Sequence, residues 1–333
     1  MRGAPACYAR PVSTWLAWLA VMAMPSLPAM PSFPVRTGAP GATQIIGGEA
    51  VDGSDWASVV AVLSVDPADS SIGHLCTGTL VAPQIVLTAA HCIVPGTKID
   101  EVGVFFGASM TKQQMATVVR YGIYPGACVE DCKRVAHDFA FIEIREKVGG
   151  VAIIPLLTTQ EEWDEAIAPD MPVTVVGFGA VRDEEQEGQA PLTDAERGFK
   201  RVVETVIDEL KYEGLEFVAG EPGKDTCGGD SGGPAFVQLE DGTWRQVGVT
   251  SRGVRPCGTG RGYYGIPFFA LPWLREKAGL DLLPADCQAA DCIDTSPPDE
   301  GCGCRSTGGW GGWGGWGGWG FAGLLLLRRR RRQ

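Results

Sequence analysis

The strongest constraint on the fold is a long succession of short β-branched and aromatic runs between Ile45 and about Leu283. Each run ends at turn-forming residues such as Gly, Pro or Asp, a spacing that predicts an all-β sandwich or barrel. A helix is predicted over residues 269–280, with Pro272 near its start. The clearest predicted strands are residues 58–64, 84–87, 102–106, 139–144, 173–176 and 246–250.

Charge excludes one class of partner. The chain has 40 acidic and 28 basic residues, a net charge of −12. Five of the basic residues are consecutive at 328–332, and residues 45–286 contain 19 basic and 36 acidic residues, a net charge of −17. Such an acidic body repels polyphosphate, so we expect no nucleic-acid partner. The 11 Cys residues are typical of an oxidising compartment.

Residues 1–29 have the pattern of a secretory signal peptide. Arg2 and Arg10 supply positive charge, residues 15–24 form an apolar run, and Ala29 is the expected cleavage position. The alternative is a membrane anchor, but this run is about half of the ~20 residues that a spanning helix needs. The pattern therefore favours an exported protein.

The C-terminal residues form a second processing pattern. A Cys-containing linker at 285–307 precedes a Gly/Trp-rich apolar segment and an Arg cluster at 308–333. Residues 308–327 carry no charge and are long enough to span a bilayer, with the Arg cluster on the cytoplasmic side. Ten of these twenty residues are Gly, which fits a flexible low-complexity tail instead.

The order of Cys motif, apolar segment and Arg-rich end resembles the C-terminal sorting signals of myxobacterial surface proteins, with 301–305 as the most specific part. This resemblance implies a bacterial protein that is recognised by sorting or processing machinery. That machinery would either anchor the protein at the cell surface or outer membrane, or release it.

Three motifs carry the candidate chemistry. His91 stands in TAAHC, Asp138 precedes an apolar strand, and Ser231 lies in DTCGGDSGGP at 225–234. The order His, Asp, Ser is that of the chymotrypsin type. The chain resembles trypsin-like serine proteases of the chymotrypsin family from Ile45 to about Leu280. That resemblance implies two antiparallel six-stranded β-barrels with a short C-terminal helix, in a protease domain at 45–284.

The resemblance also assigns catalytic roles. Ser231 would attack the peptide carbonyl, His91 would act as general base and acid, and Asp138 would orient the imidazole. The N–H groups of Gly229 and Ser231 would form the oxyanion hole, and Gly229 would need a conformation that a side chain obstructs.

Activation is implied at Ile45. Residues 30–44 would be a propeptide, and the new α-amino group of Ile45 would form a buried ion pair with Asp230. Gln44 precedes Ile45 where a self-activating enzyme would have Lys or Arg, so we expect a separate activating protease. His74 stands where many relatives hold that Asp in the zymogen; the alternative is a surface His.

Substrate preference is implied by Asp225, which would form the floor of the primary pocket and favour protein or peptide substrates with Arg or Lys. Gly253 and Gly262 match the pocket walls, and Ser251 matches a substrate-binding position. Arg252 replaces the usual Trp, so the neighbouring subsites differ and we expect a preference for acidic residues there.

The sequence also carries expectations about disulfide pairing and metal binding. The family resemblance implies disulfides Cys76–Cys92 and Cys227–Cys257, and proximity alone suggests Cys128–Cys132. Disulfides or processing are favoured over a zinc site for Cys287, Cys292, Cys302 and Cys304, because their spacing is not a recognised finger. Residues 102–129 contain no Asp or Glu, so we expect neither calcium nor any other metal or cofactor.

Two functions follow from the sequence. The first is a secreted serine endopeptidase made as a zymogen. The alternative is a catalytically idle protease homologue that serves as a surface binding module. Loss of a catalytic residue or of Gly229 is the usual mark of the second class, and none of them is lost.

Overall fold

The computed structural model describes residues 45–52, 54–70, 72–110, 114–127, 137–183, 192, 196–212, 214–285 and 287. All of them belong to the first of the two units into which the chain divides, which ends at Asp294. The predicted signal peptide, propeptide and C-terminal signal, and most of the predicted linker, lie outside the described residues.

The described residues form fourteen strands, and every one of the six clearest predicted runs coincides with a strand. In chain order the strands are β1 (Glu49–Ala50), β2 (Val59–Val65), β3 (Gly73–Ala82), β4 (Ile85–Thr88), β5 (Val102–Phe106), β6 (Gln114–Ala116), β7 (Val118–Ile123), β8 (Ala140–Ile144), β9 (Pro172–Gly177), β10 (Arg201–Lys211), β11 (Glu216–Ala219), β12 (Pro234–Gln238), β13 (Trp244–Gly253) and β14 (Gly262–Gly265).

The first sheet has the strand order β6-β5-β2-β3-β4-β8-β7, and all its pairs are antiparallel. Its two edge strands are separated in the chain by Thr117 alone. The sheet therefore curls until β6 and β7, at its opposite edges, become consecutive segments of the chain.

The second sheet closes on itself. Its order is β10-β11-β14-β13-β12-β9, and β9 pairs back with β10 along six residues. The two-residue strand β1 pairs antiparallel with the first two residues of β10, Arg201 and Val202. The all-β prediction is confirmed, and the arrangement agrees with a two-barrel fold.

Two α-helices are described. Helix α2, Leu271–Ala278, confirms the predicted C-terminal helix; Pro272 lies in its first turn and Gly279 ends it at a φ of 68°. Helix α1, Gln160–Ala166, was not predicted, although its capping box of Thr159 and Glu162 is a readable signal. Neither described helix is long and apolar enough to cross a membrane.

A hydrophobic cluster joins strands of both sheets. Val59 of β2 packs with Val176 of β9 and Phe236 of β12, and all three are fully buried. Trp56 stacks on Phe236 with ring centroids 5.1 Å apart. This cluster fixes how the two sheets pack against each other, and hence how the candidate site residues that they carry meet.

We predict that Phe236→Ala lowers the free energy of unfolding by about 3–5 kcal/mol, because the cavity it leaves is lined by rigid strands. Urea unfolding measures the loss. Met115→Ala is the control: Met115 is 67% exposed, and its replacement should change stability by less than about 0.5 kcal/mol. Equal effects of the two substitutions would contradict the assignment of Phe236 to the core.

Candidate active site

His91 and Asp138 lie at the ends of two neighbouring strands of the first sheet. Thr88, the last residue of β4, pairs with Ala140, the first residue of β8. Because these strands are antiparallel, the chain leaving β4 meets the chain entering β8 at one edge. A 3-10 helix, Ala90–Cys92, carries His91 there. Nδ1 of His91 lies 2.7 Å from Oδ2 of Asp138, and the His91 N–H donates to Oδ1 at 3.1 Å.

Asp138 is only 2% exposed, whereas the His91 side chain is 32% exposed and reachable from solvent. The Ser251 hydroxyl donates to Oδ2 of Asp138 at 2.6 Å, which helps to offset the cost of burying the carboxylate. Ser251 was predicted to contact substrate. Its hydroxyl is directed at Asp138, and its contact with substrate stays a prediction.

Ser231 stands in a turn before β12 of the second sheet, and β3 of the first sheet holds that turn. The Thr77 N–H donates to the Ser231 carbonyl at 2.8 Å, and the Thr77 hydroxyl donates to the Gly229 carbonyl at 2.9 Å. Sγ of Cys92, the neighbour of His91, lies 3.5 Å from the Ser231 carbonyl oxygen. Ser231 and His91 are thereby brought to one place from different sheets.

Gly229 has a φ of +100°, and a Cβ there would lie 3.0 Å from Cα of Gly179. Its requirement for glycine is therefore steric as well as conformational. Among the described residues, the N–H groups of Gly229 and Ser231 donate no hydrogen bond, whereas Asp230 between them donates to the Cys227 carbonyl at 3.1 Å. The N–H groups of Gly229 and Ser231 are therefore available to an acceptor from outside the described residues.

Asp230 is fully buried beneath this turn. Its Oδ1 accepts from the Gly179 N–H at 2.8 Å, and its Oδ2 accepts from the Cys227 N–H at 2.9 Å. Burial raises the pKa of Asp230 to about 6, against the effect of these two hydrogen bonds. Ile45 is also fully buried, but it follows Gln44 in an unbroken chain. Its nitrogen is an uncharged amide, so its ion pair with Asp230 stays a prediction.

The residues after Ile45 lie against the Asp225 loop. The Asp225 N–H donates to the Ile46 carbonyl at 3.1 Å. Gly47 has a φ of +80°, and a Cβ there would lie 2.2 Å from the Gly223 carbonyl oxygen. The start of the predicted protease domain is thus packed onto the loop that carries the predicted specificity residue.

Asp225 is 2% exposed, and its carboxylate accepts hydrogen bonds from backbone N–H groups. Its Oδ1 accepts from Thr226 at 2.8 Å, and its Oδ2 accepts from Gly258 at 3.2 Å and Gly260 at 3.1 Å. Burial raises its pKa, and these hydrogen bonds oppose the rise. No cation among the described residues forms an ion pair with Asp225.

The two predicted wall glycines differ in their surroundings. A Cβ on Gly253 would meet nothing closer than the Arg261 carbonyl oxygen, at 3.8 Å, so this position faces open space. A Cβ on Gly262 would lie 2.9 Å from the Tyr264 hydroxyl and 3.1 Å from Oγ1 of Thr226, so Gly262 lies tight against neighbours of Asp225.

Arg252 forms a bidentate ion pair with Glu216 on β11, at 2.8 and 2.7 Å. Glu216 is only 1% exposed, and the Arg252 guanidinium lies over the Tyr263 ring at 4.3 Å from its centroid. The charge of Arg252 is therefore already compensated within the chain. This pair weakens the predicted preference for acidic residues in the neighbouring subsites, which stays a prediction.

Both disulfides implied by the resemblance are present. Cys76–Cys92 ties β3 to the His91 segment, and Cys227–Cys257 ties the Ser231 loop to the chain after β13. Ligand-type atoms of Cys76, His91 and Cys92 lie within 4.8 Å of one another. Both sulfurs are joined in a disulfide and are not thiolates, so this cluster is not a metal site.

The remaining predicted residues have mixed outcomes. Nε2 of His74 lies 3.6 Å from Oδ2 of Asp66, and 43% of the His74 side chain is exposed. The predicted contact of His74 with Asp230 in the zymogen stays a prediction. Cys287 is disulfide-bonded. Cys128, Cys132, Cys292, Cys302 and Cys304 lie outside the described residues.

Sequence reasoning missed Thr77 and Glu216. Thr77 bridges Gly229 and the N–H of Phe178, which are 152 and 101 residues away in the chain. Glu216 lies in an apolar-patterned strand, 36 residues before its partner Arg252. No local signal distinguishes either residue, because the partner that gives each its role arrives only on folding.

Comparison with known proteins agrees with this geometry. The sequence model of the Trypsin family matches residues 45–274. The chain is similar to spermosin from Halocynthia roretzi, with 28% identity over 272 residues that cover 76% of this chain and 66% of spermosin. The chain thus spans just under two thirds of that relative's length. The family match covers well over half of the chain, and this protein therefore belongs to the trypsin family of chymotrypsin-type serine proteases.

Proposed function

We propose that this protein is a secreted serine endopeptidase that hydrolyses peptide bonds after Arg or Lys through an acyl-enzyme. The observation that carries the proposal is the convergence of His91, Asp138 and Ser231 at the barrel junction, close to a buried carboxylate, Asp225, that has no cation of its own among the described residues.

The triad proposal rests on the geometry around His91. With Nδ1 directed at Asp138, the imidazole presents Nε2 as the nitrogen that accepts a proton from the Ser231 hydroxyl. The ring then delivers that proton to the leaving amine. In the second half-reaction the imidazole takes a proton from a water molecule, which attacks the acyl-enzyme and releases the acyl group as an acid. Asp138 stabilises the imidazolium formed in each half-reaction.

Stabilisation of the oxyanion is assigned to the N–H groups of Gly229 and Ser231. The planes that carry these two N–H groups are held through their carbonyl ends: the Gly228 carbonyl accepts from the Ala180 N–H at 2.8 Å, and the Asp230 carbonyl accepts from the Gly233 N–H at 2.9 Å. Both N–H groups are thus left for a substrate. Preorganised donors of this kind contribute on the order of 3 kcal/mol each to transition-state stabilisation.

Preference for Arg or Lys is supported by the environment of Asp225. Three N–H groups orient its carboxylate, and the open space at Gly253 gives a long side chain room to reach it. A cationic substrate would supply the positive charge that a buried carboxylate requires.

Activation by cleavage before Ile45 is supported by the burial of Ile45 and by the packing of Ile46 and Gly47 on the Asp225 loop. A newly formed α-amino group at Ile45 would bring a positive charge into the region of Asp230. Gln44 does not fit a pocket built for Arg or Lys, so a different protease makes the cut.

Export is proposed from the N-terminal signal pattern, and surface anchoring or release from the C-terminal pattern. Mass spectrometry of the mature protein would locate both processing sites. Finding residues 1–29 retained would contradict the signal peptide.

We predict that Asp138→Asn lowers kcat for an Arg-amide substrate by about 10⁴-fold, because the imidazole loses its orientation and its counter-charge. Ser251→Ala removes a single donor to the same carboxylate and should cost about 10- to 100-fold. Fluorogenic assays on chain cleaved before Ile45 measure both. If neither substitution alters hydrolysis, or if the cleaved chain shows none at all, the idle-homologue alternative or another mechanism is favoured.

Asp225→Ser should lower kcat/KM for Arg-amide substrates at least about 30-fold, because loss of one partner of a buried charge pair costs about 2–5 kcal/mol. Asp241→Asn makes the same change of charge on an exposed turn and should leave kcat/KM within twofold. Arg-amide hydrolysis that survives Asp225→Ser unchanged would show that the specificity residue lies elsewhere.

Gln44→Arg should convert the chain into one that activates itself. Purified wild-type chain should keep the bond before Ile45 intact, whereas the Gln44→Arg variant should cleave it within hours, and adding Ser231→Ala should abolish that cleavage. N-terminal sequencing follows the reaction. Efficient self-cleavage of the wild type after Gln44 would refute the need for a separate activating protease.

A further inference from the structure

Asp230 needs a positive charge even before activation. It is fully buried, and two N–H groups are its hydrogen-bond donors among the described residues. Two peptide dipoles do not replace the hydration of a full negative charge, so a buried carboxylate normally requires a cation nearby. While the bond between Gln44 and Ile45 is intact, the Ile45 nitrogen is an uncharged amide. The required cation must come from another residue.

The register of the second sheet identifies Arg201 as that residue. Arg201 of β10 is directly opposite Gly177 of β9, and opposed residues of antiparallel strands project from the same face of a sheet. A Cβ on Gly177 would lie 2.1 Å from Oδ1 of Asp230. The Asp230 carboxylate therefore rests on the face from which the Arg201 side chain projects.

Arg201 is held in this interior position. It is only 2% exposed, its guanidinium donates to the Phe199 carbonyl at 3.2 Å, and it lies over the Phe199 ring at 5.7 Å from the centroid. Burial lowers the pKa of Arg201, and the charge of Asp230 opposes that effect. The charge of Arg201 likewise opposes the burial that raises the pKa of Asp230.

Among the described residues, Arg201 is the one cation whose charge lowers the pKa of Asp230. Asp225, in the same loop, raises the pKa of Asp230 further, and the buried phenol of Tyr264 on β14 is neutral. Lys200 is next to Arg201 and equally buried, but its ammonium donates to the Trp56 carbonyl at 3.0 Å and its charge interacts with Asp55.

We propose that Arg201 is a positioning residue for the Ser231 turn: its buried guanidinium provides Asp230 with a counter-charge that keeps the oxyanion turn and the Asp225 pocket formed in the uncleaved chain. Cleavage before Ile45 then adds a second positive charge to an arrangement that already exists. The inference rests on the proposed function, since the pocket is the one assigned to Arg and Lys side chains.

Benzamidine, a small aromatic cation, is the probe for this pocket. Full-length chain carrying Ser231→Ala, with the bond before Ile45 verified as intact by mass spectrometry, should bind benzamidine at pH 8 in a calorimetric titration. Arg201→Met should weaken binding at least tenfold, and Arg201→Lys should restore it to within threefold. Lys200→Met is the matched control and should change binding by less than twofold. Unchanged binding in Arg201→Met would overturn the proposal.

Chain cleaved before Ile45 separates this inference from the proposed function. Cleaved wild-type chain that does not bind benzamidine contradicts the Arg/Lys pocket itself. If the cleaved chain binds benzamidine and the uncleaved chain does not, the Arg/Lys pocket is supported. The proposed role of Arg201 in the uncleaved chain is then overturned.

The pH dependence of stability distinguishes a counter-charge from simple packing. Because the pKa of folded Asp230, about 6, lies above its ordinary value, protonation favours the folded state, and stability falls as pH rises through 6. Without Arg201 the pKa of Asp230 should rise further, so the fall in stability should be larger and extend to higher pH. The loss in urea midpoint caused by Arg201→Met should therefore be larger at pH 8 than at pH 5, where Asp230 is protonated.

Arg201→Gln removes the charge but keeps hydrogen-bonding capacity, and it should behave like Arg201→Met. An equal loss of midpoint at both pH values, or failure of both neutral variants to fold at pH 5, would assign Arg201 a packing role and overturn the proposal.

Discussion

A carboxylate removed from water has to be met by N–H groups or by positive charge, and this requirement organises the region where the two sheets meet. Asp138, Asp225 and Asp230 are all at most 2% exposed. Each accepts at least two hydrogen bonds from atoms whose positions the surrounding loops determine. The three carboxylates differ in their remaining partner. Asp138 contacts an imidazole, whereas in our proposals Asp225 binds a cationic substrate and Asp230 is neutralised by the buried Arg201.

The two sheets depend on each other for this arrangement. His91 and Asp138 come from adjacent strand ends of the first sheet, and Ser231 comes from a turn of the second. Thr77 of the first sheet holds that turn through two hydrogen bonds, and Phe236 packs against Trp56. Strain or loss of packing at this junction would therefore reach the chemistry directly, even where no catalytic residue is changed.

Much of the fold was predictable from local pattern. Short β-branched runs and turn residues indicated strands, and all six of the clearest runs are strands, because alternation and turn chemistry act over a few residues. Helix α1 begins at a local signal of the same kind, since Thr159 and Glu162 have capping-box spacing. Motif order pointed to His91, Asp138 and Ser231, whose catalytic roles stay predictions, and both disulfides that the family resemblance implied are present.

The hydrogen bond from Ser251 to Asp138 and the ion pair of Arg252 with Glu216 were not predictable from local sequence pattern. The Ser251 hydroxyl meets a carboxylate 113 residues away, and Arg252 meets a glutamate that its own neighbourhood does not contain.

The sequence by itself determined the all-β class, the family and the candidate triad positions, because these depend on residue type, spacing and order. Tertiary structure alone decided which buried charges face each other. Arg201 and Asp230 are brought to the same side of a sheet by the pairing of β9 with β10 and by the close approach of Gly177 to the carboxylate. Strand register sets which face a side chain occupies, and register is a property of the folded sheet that neither strand carries in its own sequence.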